Sequence, residues 1–518
     1  MDGERHRLHL ARLVEVVLLD RGQLDGGGDR LQKGHWRGSC HDGRVPLVEN
    51  GVSPARRVAA AVLRRVQEEG AYADRALAGE AARAGLDHRD HGFATALAYG
   101  AVQRRRTLDH LIERLTRRPV EQLDPAVRDA LRLGLLQLLF LDGVAPHAAV
   151  DQSVELAKAG GGHGYKLVNA VLRRAQREGP RMLAQLGDGR PRTAALRYSV
   201  PDWLARLWWQ AIGPDDARAL LARVNEPAES ALRVNTLRAA REVVADAARA
   251  DAPAPREARD AVAAALRADG VETHAAALDG LDLPEGLVAD DAFDLRGDAR
   301  FAAGELVAQS RAAQAAARLL APAPGMRVLD LCAAPGGKAS HLAQLVGPDG
   351  AVVAVERNPR RAAALRETLK RLGAQSIVEV EAGDAARPRD DEPFDAVLID
   401  PPCSGLGTLQ GRPDLRWRAS EQAIDELAEL QFRILTAGAA ALRPGGALLY
   451  VTCTISPREN ERVVQRFLAD PAGAGFALAD LGSARPSLRS RIEPRTLQLL
   501  PHRDSTDGFF IARLEKAS

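Results

Sequence analysis

From Ser53 onward hydrophobic positions recur at helical spacing. Val58, Val62 and Val66 share one face of a helix that Ser53 is placed to cap and Pro54 to open. The pattern repeats in Phe93, Leu97 and Val102, in Leu108, Leu111, Ile112 and Leu115, and in Val127, Leu131, Leu135 and Leu138. An all-helical bundle over residues 53–190 is predicted, with helix following helix to about Arg181. Residues 1–52 carry Gly26-Gly27-Gly28, scattered His and Trp36 but no sustained period. They read as an extension without a packed core or a start called too far upstream, and neither they nor Cys40 receive a function.

Beyond the bundle the pattern changes twice. Residues 195–308 are mixed: Trp203, Trp208 and Trp209 share a helical stretch, Leu232 to Asn235 reads as a short strand, and an Ala/Arg/Asp-rich run fills 239–270. A small connecting α/β domain is expected there. The tryptophans have faces that stack bases in RNA-binding surfaces, but core packing is their expected role. Residues 309–518 alternate strand and helix, with strands at Val328–Leu331, Ala351–Val355, Ser376–Val380, Ala396–Asp400 and Ala447–Val451. Such alternation gives a parallel sheet covered by helices on both faces, the Rossmann-like α/β class, and its ligands sit at the carboxyl ends of the strands.

Composition narrows the class. A chain of 518 residues exceeds what one core serves, so two or three domains are expected. No apolar run reaches membrane length; even Leu131–Val144 is broken by Arg132, Gly134, Gln137 and Asp142. Arg12 and Glu15 interrupt the only apolar stretch that resembles a signal peptide, so a cytoplasmic protein is expected. The four cysteines, Cys40, Cys332, Cys403 and Cys453, make neither a disulfide framework nor a C-x-x-C metal pair, and no metal is expected. Lys and Arg number 71 against 69 Asp and Glu, so net charge does not point to a partner. Runs such as Arg104-Arg105-Arg106, Arg117-Arg118 and Arg173-Arg174 are compatible with a basic RNA-facing surface or with an ordinary solvated one.

The first strand of the α/β region runs into Cys332-Ala333-Ala334-Pro335-Gly336-Gly337-Lys338, where paired glycines let the backbone approach a ligand before a helix begins near Ala339. A P-loop needs glycine and Ser or Thr where Cys332 and Ala339 stand. The G-x-G-x-x-G dinucleotide fingerprint is missing as well. Glu356, closing the second strand about 20 residues past the glycines, is placed to accept from ribose hydroxyls. Asp384, after the third strand, is placed to accept from an adenine amino group. A nucleoside cofactor without pyrophosphate fits this set.

Asp400-Pro401-Pro402-Cys403 follows a strand, and two prolines after an acid make a rigid turn at the sheet edge. A second thiol, Cys453, follows a strand fifty residues further on. Two thiols suit one reaction. Cytosine C5 is a poor nucleophile until a thiolate adds at C6, and the adduct must then be undone. Asp400 is suited to manage a proton at cytosine N3. Lys338 either contacts the pyrimidine, lowers a thiol pKa or is solvated. One buried cysteine is by default inert packing, but two at strand ends beside a cofactor loop favour catalysis. The zinc deaminases that also handle cytosine need P-C-x-x-C, and Leu406 stands where the second cysteine belongs.

CAAPGGK at 332–338, DPPCSG at 400–405 and TCT at 452–454 resemble the bacterial Sun/Fmu family of RNA m5C methyltransferases. Arg233-Val234-Asn235-Thr236, Leu442-Arg443-Pro444-Gly445-Gly446 and Asp507-Gly508-Phe509-Phe510 extend the resemblance from about Ser53 to the end. It implies S-adenosyl-L-methionine as cofactor, held by Cys332, Ala333, Ala334, Pro335, Gly336, Gly337, Lys338, Glu356, Asp384 and Asp400. It also implies Cys453 as nucleophile, Cys403 as the aid to release, and Asp400 and Lys338 as catalytic helpers. The segment 53–181 looks like the NusB-type domain of the rRNA-directed members, which makes 16S rRNA the implied partner of a monomeric enzyme. Three positions depart from the family pattern: Glu356 where Asp is frequent, Thr454 where Ser is common, and Ser310 where an acid often stands. Two alternatives remain open, the same reaction on tRNA or another rRNA site, and a non-catalytic RNA-binding assembly factor.

Overall fold

The computed structural model describes residues 51–161, 163–243, 255–291, 293–390 and 392–518. Cys40, residues 1–50 of the expected extension and 244–254 of the Ala/Arg/Asp-rich run lie outside the described residues. The rest divides into two compact units, residues 51–227 with 409–418, and residues 228–408 with 419–518.

The first unit is helical. Pro54–Glu68 opens on Ser53 as expected, but the Ser53 hydroxyl accepts from Arg56 Nη1 (3.0 Å) and caps no helix amide. Val58, Val62, Leu97, Leu108, Leu111, Ile112, Leu131 and Leu135 meet in one core. Arg132, which breaks the apolar run in the sequence, is buried in the helix Pro125–Leu139. Its fork holds both carboxylate oxygens of Asp109 (2.6 and 2.8 Å), which satisfies the charge inside the bundle. The helical texture continues past Arg181 through Pro191–Arg197, Asp202–Ile212 and Pro214–Arg223. Trp208 is fully buried, a core residue, while Trp203 and Trp209 are half-buried.

Residues 409–418 complete this unit although the sequence places them just after the Cys403 loop. Arg416 is fully buried and donates to the carbonyl oxygens of Val224 (2.9 Å), Gln103 (3.3 Å) and Ser199 (3.4 Å) and to Asn225 Oδ1 (2.7 Å). Trp417 Nε1 donates to Val102 O (2.8 Å). These carbonyls terminate helices, so one guanidinium satisfies groups that the helices leave unpaired.

The second unit holds two sheets. The larger has the strand order β10-β12-β9-β8-β5-β6-β7, with β11 against β12. Here β5 is Arg327–Leu331, β6 Ala351–Glu356, β7 Val378–Ala382, β8 Phe394–Ile399, β9 Leu442–Thr452, β10 Phe476–Leu478, β11 Leu497–Leu499 and β12 Phe509–Lys516. β5 to β9 run parallel and β12 returns antiparallel to β9. Alternate residues of each strand feed two cores. Val328, Val352 and Leu398 face the helices Arg311–Leu320, Gly337–Val346 and Pro359–Leu372, whereas Leu329, Val353 and Val397 face Glu421–Ala440 and Glu461–Ala469. Because β5 has β6 on one side and β8 on the other, strand order reverses there, the position where such sheets bind ligands.

The smaller sheet, β1 (Ser230–Val234), β2 (Thr273–Leu278), β3 (Leu281–Ala289) and β4 (Leu306–Ala308), has the order β2-β3-β1-β4 and is antiparallel throughout. It is pinned to the larger sheet's helices by buried charge. Glu285 accepts from Arg318 and His341, and Arg233 donates to Gln309 Oε1 (2.6 Å), Ser340 Oγ (2.8 Å) and Gly337 O (3.2 Å). Burial presses His341 down to about 4 against the pull of Glu285, so it is neutral at pH 7. Ser310, a departure from the family pattern, caps Arg311–Leu320 through Ala313 N, and the acid at that helix start is Glu229, which accepts from Arg311 N (3.1 Å).

Replacing Arg416 with Met strips at least three carbonyls of their donor while keeping most of the apolar volume. Urea unfolding should show a loss of roughly 2–4 kcal/mol, the penalty for stranding buried acceptors. A midpoint equal to wild type would show that the guanidinium is not what holds the segment.

Candidate active site

The residues singled out in the sequence converge at the carboxyl ends of β5, β6, β7, β8 and β9. The loop after β5 begins at Cys332 in a left-handed conformation (φ 67°), and Gly336 (φ 106°) admits the turn into Gly337–Val346. A Cβ on Gly336 would meet Leu365 Cδ1 at 2.7 Å, so the loop lies tight against the next helix. A pocket opens above it, lined by Cys332, Val355, Glu356, Arg357, Asp384, Ala385, Pro402, Leu430 and Ile434. Glu356 and Asp384 thus share one cavity. Glu356 is paired with Arg361 (3.2 Å), and burial raises its carboxyl above the usual range. The Cys332 thiol is pushed up by burial and by Glu356, Asp400 and Asp330, which makes it a poor nucleophile.

Beside the pocket the reactive groups are paired. Lys338 Nζ lies 2.6 Å from Asp400 Oδ2 and 5.4 Å from the Phe509 ring centre. Lys338 is therefore an ion-pair partner of Asp400, a role that none of its sequence readings included. Cys403 Sγ and Cys453 Sγ are 3.3 Å apart. Cys403 is buried and Cys453 more open. The hydrogen bond to Cys453, burial and the neighbouring acids Glu459 and Asp400 hold the Cys403 thiol well above the usual range. Cys403 is therefore the thiol held in its protonated form, in hydrogen-bond reach of the Cys453 sulfur. Loops lock the pair. Gly407 N donates to Cys453 O (3.0 Å), Gly508 N donates to Gly407 O (2.9 Å), and a Cβ on Gly407 would meet Gly508 O at 1.9 Å.

Two groups were missed by the sequence reading. Asp330, in β5 two residues before Cys332, is fully buried with both carboxylate oxygens without a hydrogen-bond partner. Burial raises it to about 8, with Lys338 opposing and Asp400 adding. Its only signal was an acid in the apolar run Val328–Leu331. Glu459 is fully buried and accepts from Ser404 N (2.7 Å), Ser404 Oγ (2.6 Å) and Gln431 Nε2 (3.2 Å). Ser404 Oγ also meets Thr454 Oγ1 (2.7 Å), a bond that either Thr or Ser provides at 454. No group of three or more His, Cys, Asp or Glu arranged for a metal occurs among the described residues.

A doubly covered, largely parallel sheet with a pocket at its switch point and a thiol pair on the adjoining strand ends suits a methyltransferase. Sequence comparison agrees: residues 317–515 match the family described as 16S rRNA methyltransferase RsmB/F, and residues 53–177 match the NusB family. The chain is 37% identical over 474 residues to the probable ribosomal RNA small subunit methyltransferase B of Synechocystis sp., covering 89% of this chain and 99% of that one. It is 35% identical over 433 residues to ribosomal RNA small subunit methyltransferase B of Pseudomonas putida, covering 83% and 92%. The crystal structure of PH0851 superposes with a TM-score of 0.68 at 27% identity, covering 90% of this chain and 99% of that one. The chain belongs to the ribosomal RNA small subunit methyltransferase B family, and it is an RNA methyltransferase.

The Asp330 carboxyl carries a sign. An acid whose folded pKa is raised contributes stability that is complete below its ordinary value near 3.9 and is lost as pH climbs to about 8. Wild-type urea midpoints should therefore fall between pH 5 and pH 8, at up to about 1.4 kcal/mol per pH unit. Asp330→Asn, which mimics the neutral acid, should flatten that slope. Parallel slopes for the two proteins would mean that Asp330 is ionised in the folded state.

Proposed function

We propose that the protein transfers the methyl group of S-adenosyl-L-methionine to C5 of a cytosine in 16S rRNA. The reaction runs through a covalent bond between Cys453 Sγ and C6, and Cys403 assists release. The observation that carries this reading is the 3.3 Å approach of two thiols at neighbouring strand ends, one buried and protonated and one more open, beside a lysine–aspartate pair.

The pocket suits the cofactor. Glu356 offers a carboxylate at the end of β6, where ribose hydroxyls are bound in this fold class, and Asp384 an acceptor at the end of β7. Leu430, Ile434, Val355 and Ala385 give apolar walls for a purine. Asp330, buried with orphaned oxygens under the loop, is a further polar group of the kind a ligand satisfies. When bound, the cofactor supplies an electrophilic methyl group.

The chain's own residues do the rest. Cys453 as thiolate adds to C6 while N3 takes up a proton from solvent, which it returns when the adduct breaks, and Asp400, held by Lys338, accepts a hydrogen bond from that N3–H. That addition makes C5 nucleophilic. After methylation the C5 proton leaves to a base, the C5=C6 double bond reforms and the C6–S bond breaks. Cys403 S–H donates to the departing sulfur across the short gap. The NusB-type helical unit would hold the RNA, and the enzyme would act in the cytoplasm as a monomer.

The test combines labelled S-adenosylmethionine, unmodified 16S rRNA and bisulfite mapping of the product. Wild type should place m5C in 16S rRNA, Cys453→Ala should abolish it, and Cys403→Ala should remain on the RNA as an adduct that resists denaturant. Label in tRNA alone would sink the rRNA assignment. An adduct in the Cys453 variant instead would exchange the two thiols.

A further inference from the structure

Glu459 sits two residues before the helix Glu461–Ala469, away from the cofactor pocket, yet it ties together the two loops that carry the thiols. Its carboxylate accepts from the backbone and hydroxyl of Ser404, next to Cys403. The same hydroxyl meets Thr454 Oγ1, next to Cys453. Gln431 Nε2 is shared between Glu459 Oε1 (3.2 Å) and Pro402 O (2.8 Å), so the turn before Cys403 is held from behind. Tyr450 OH, from the last turns of β9, donates to Glu459 O (2.6 Å). Every element that presents a thiol therefore makes a hydrogen bond to this one residue or to its immediate partner.

We propose that Glu459 is a positioning residue of the methyl-transfer site, which fixes the Cys403 loop to the Cys453 loop and keeps the two thiols face to face. The proposal rests on the thiol-addition reading above. The three hydrogen bonds to the carboxylate all come from neutral groups, so the charge is buried at a cost that packing alone does not require. That charge has an electrostatic consequence. The groups facing Cys403 are Cys453, Glu459 and Asp400, and the two acids both disfavour a second anion at Cys403. Glu459 is raised by burial to about 7, with the Ser404 bonds opposing, so it is substantially ionised in the range where a thiol begins to deprotonate. A residue that only filled space would not set which of the two sulfurs keeps its proton.

The experiment uses the full chain with Glu459→Ala, Glu459→Gln and Ser404→Ala. It measures kcat and KM for RNA, thermal melting, and the pH profile of alkylation of the thiol pair by iodoacetamide. Glu459→Ala should lose about 100-fold in kcat with KM changed by less than roughly threefold, the signature of misplaced reacting groups. Glu459→Gln keeps the acceptor for Ser404 N and Gln431 and should recover most of that loss, while its alkylation profile moves to lower pH because an anion beside the thiols is gone. If Glu459→Ala melts below the assay temperature, Ser404→Ala decides. It leaves the carboxylate with its Ser404 N and Gln431 donors but cuts the bridge to Thr454, and should lower kcat about tenfold in a protein that still melts above the assay temperature. A folded Glu459→Ala or Ser404→Ala protein with wild-type kcat overturns the assignment, as does an unshifted alkylation profile in Glu459→Gln. Failure of the wild type to methylate RNA, or of Cys403→Ala to form an adduct, would instead overturn the thiol-addition reading beneath it.

Discussion

Much of this active site depends on the hydrogen-bonded pairing of β8 with β9. Ile399 lies opposite Tyr450 and β9 ends only two residues further on, so the chain leaves the two strands at nearly the same level of the sheet, with the loops beginning at Asp400 and Cys453. Two thiols fifty residues apart in sequence reach 3.3 Å only because parallel strands in register deliver their ends together. A slip of that register would carry Cys453 to another level or turn it to the opposite face. The apolar runs Ala396–Ile399 and Ala447–Val451, buried between two helical layers, prevent the slip, since each alternate residue is committed to one of two cores. Catalytic geometry here is a product of core packing several residues away.

The charge distribution follows from the same placement. Asp330, Glu356, Asp400 and Glu459 gather at the carboxyl ends of the strands, and Lys338 and Arg361 are the cations paired within this group. Burial raises Asp330 to about 8 and Glu459 to about 7, and at Asp330 the neighbouring Asp400 adds to the rise. The same acids bear on the thiol pair. Cys403, buried beside Glu459 and Asp400, is held well above the usual thiol range, whereas Cys453 is the more open of the two.

The sequence displayed the parts of this arrangement that are local. Glycine pairs, prolines after an acid and apolar runs of strand length report on their own neighbourhood, so the cofactor loop, the DPPC turn and the five parallel strands were legible from residues 328–453 alone. Contacts made across the fold were not. Arg132 reads as a break in an apolar run and Arg416 drew no reading, yet both are buried because Asp109, or a ring of helix-end carbonyls, waits elsewhere in the chain. Residues 409–418 fall inside the expected α/β domain 309–518 and belong to the helical unit. Ser53 reads as a cap, but a nearby arginine claims its hydroxyl.

Glu459 shows why such residues escape a sequence reading and why they matter. It has no apolar periodicity, lies in a polar stretch Ser456–Glu461, and its partners Ser404 and Gln431 are 55 and 28 residues away. Polar stretches are ordinarily solvent-facing, so burial there is invisible until the partners are placed. Once they are, the cost of burying an acid identifies the place where geometry is being held against the tendency of two loops to move independently. In this enzyme that place lies directly behind the thiols, where a shift of an ångström would part the two sulfurs that the proposed addition and release steps need side by side.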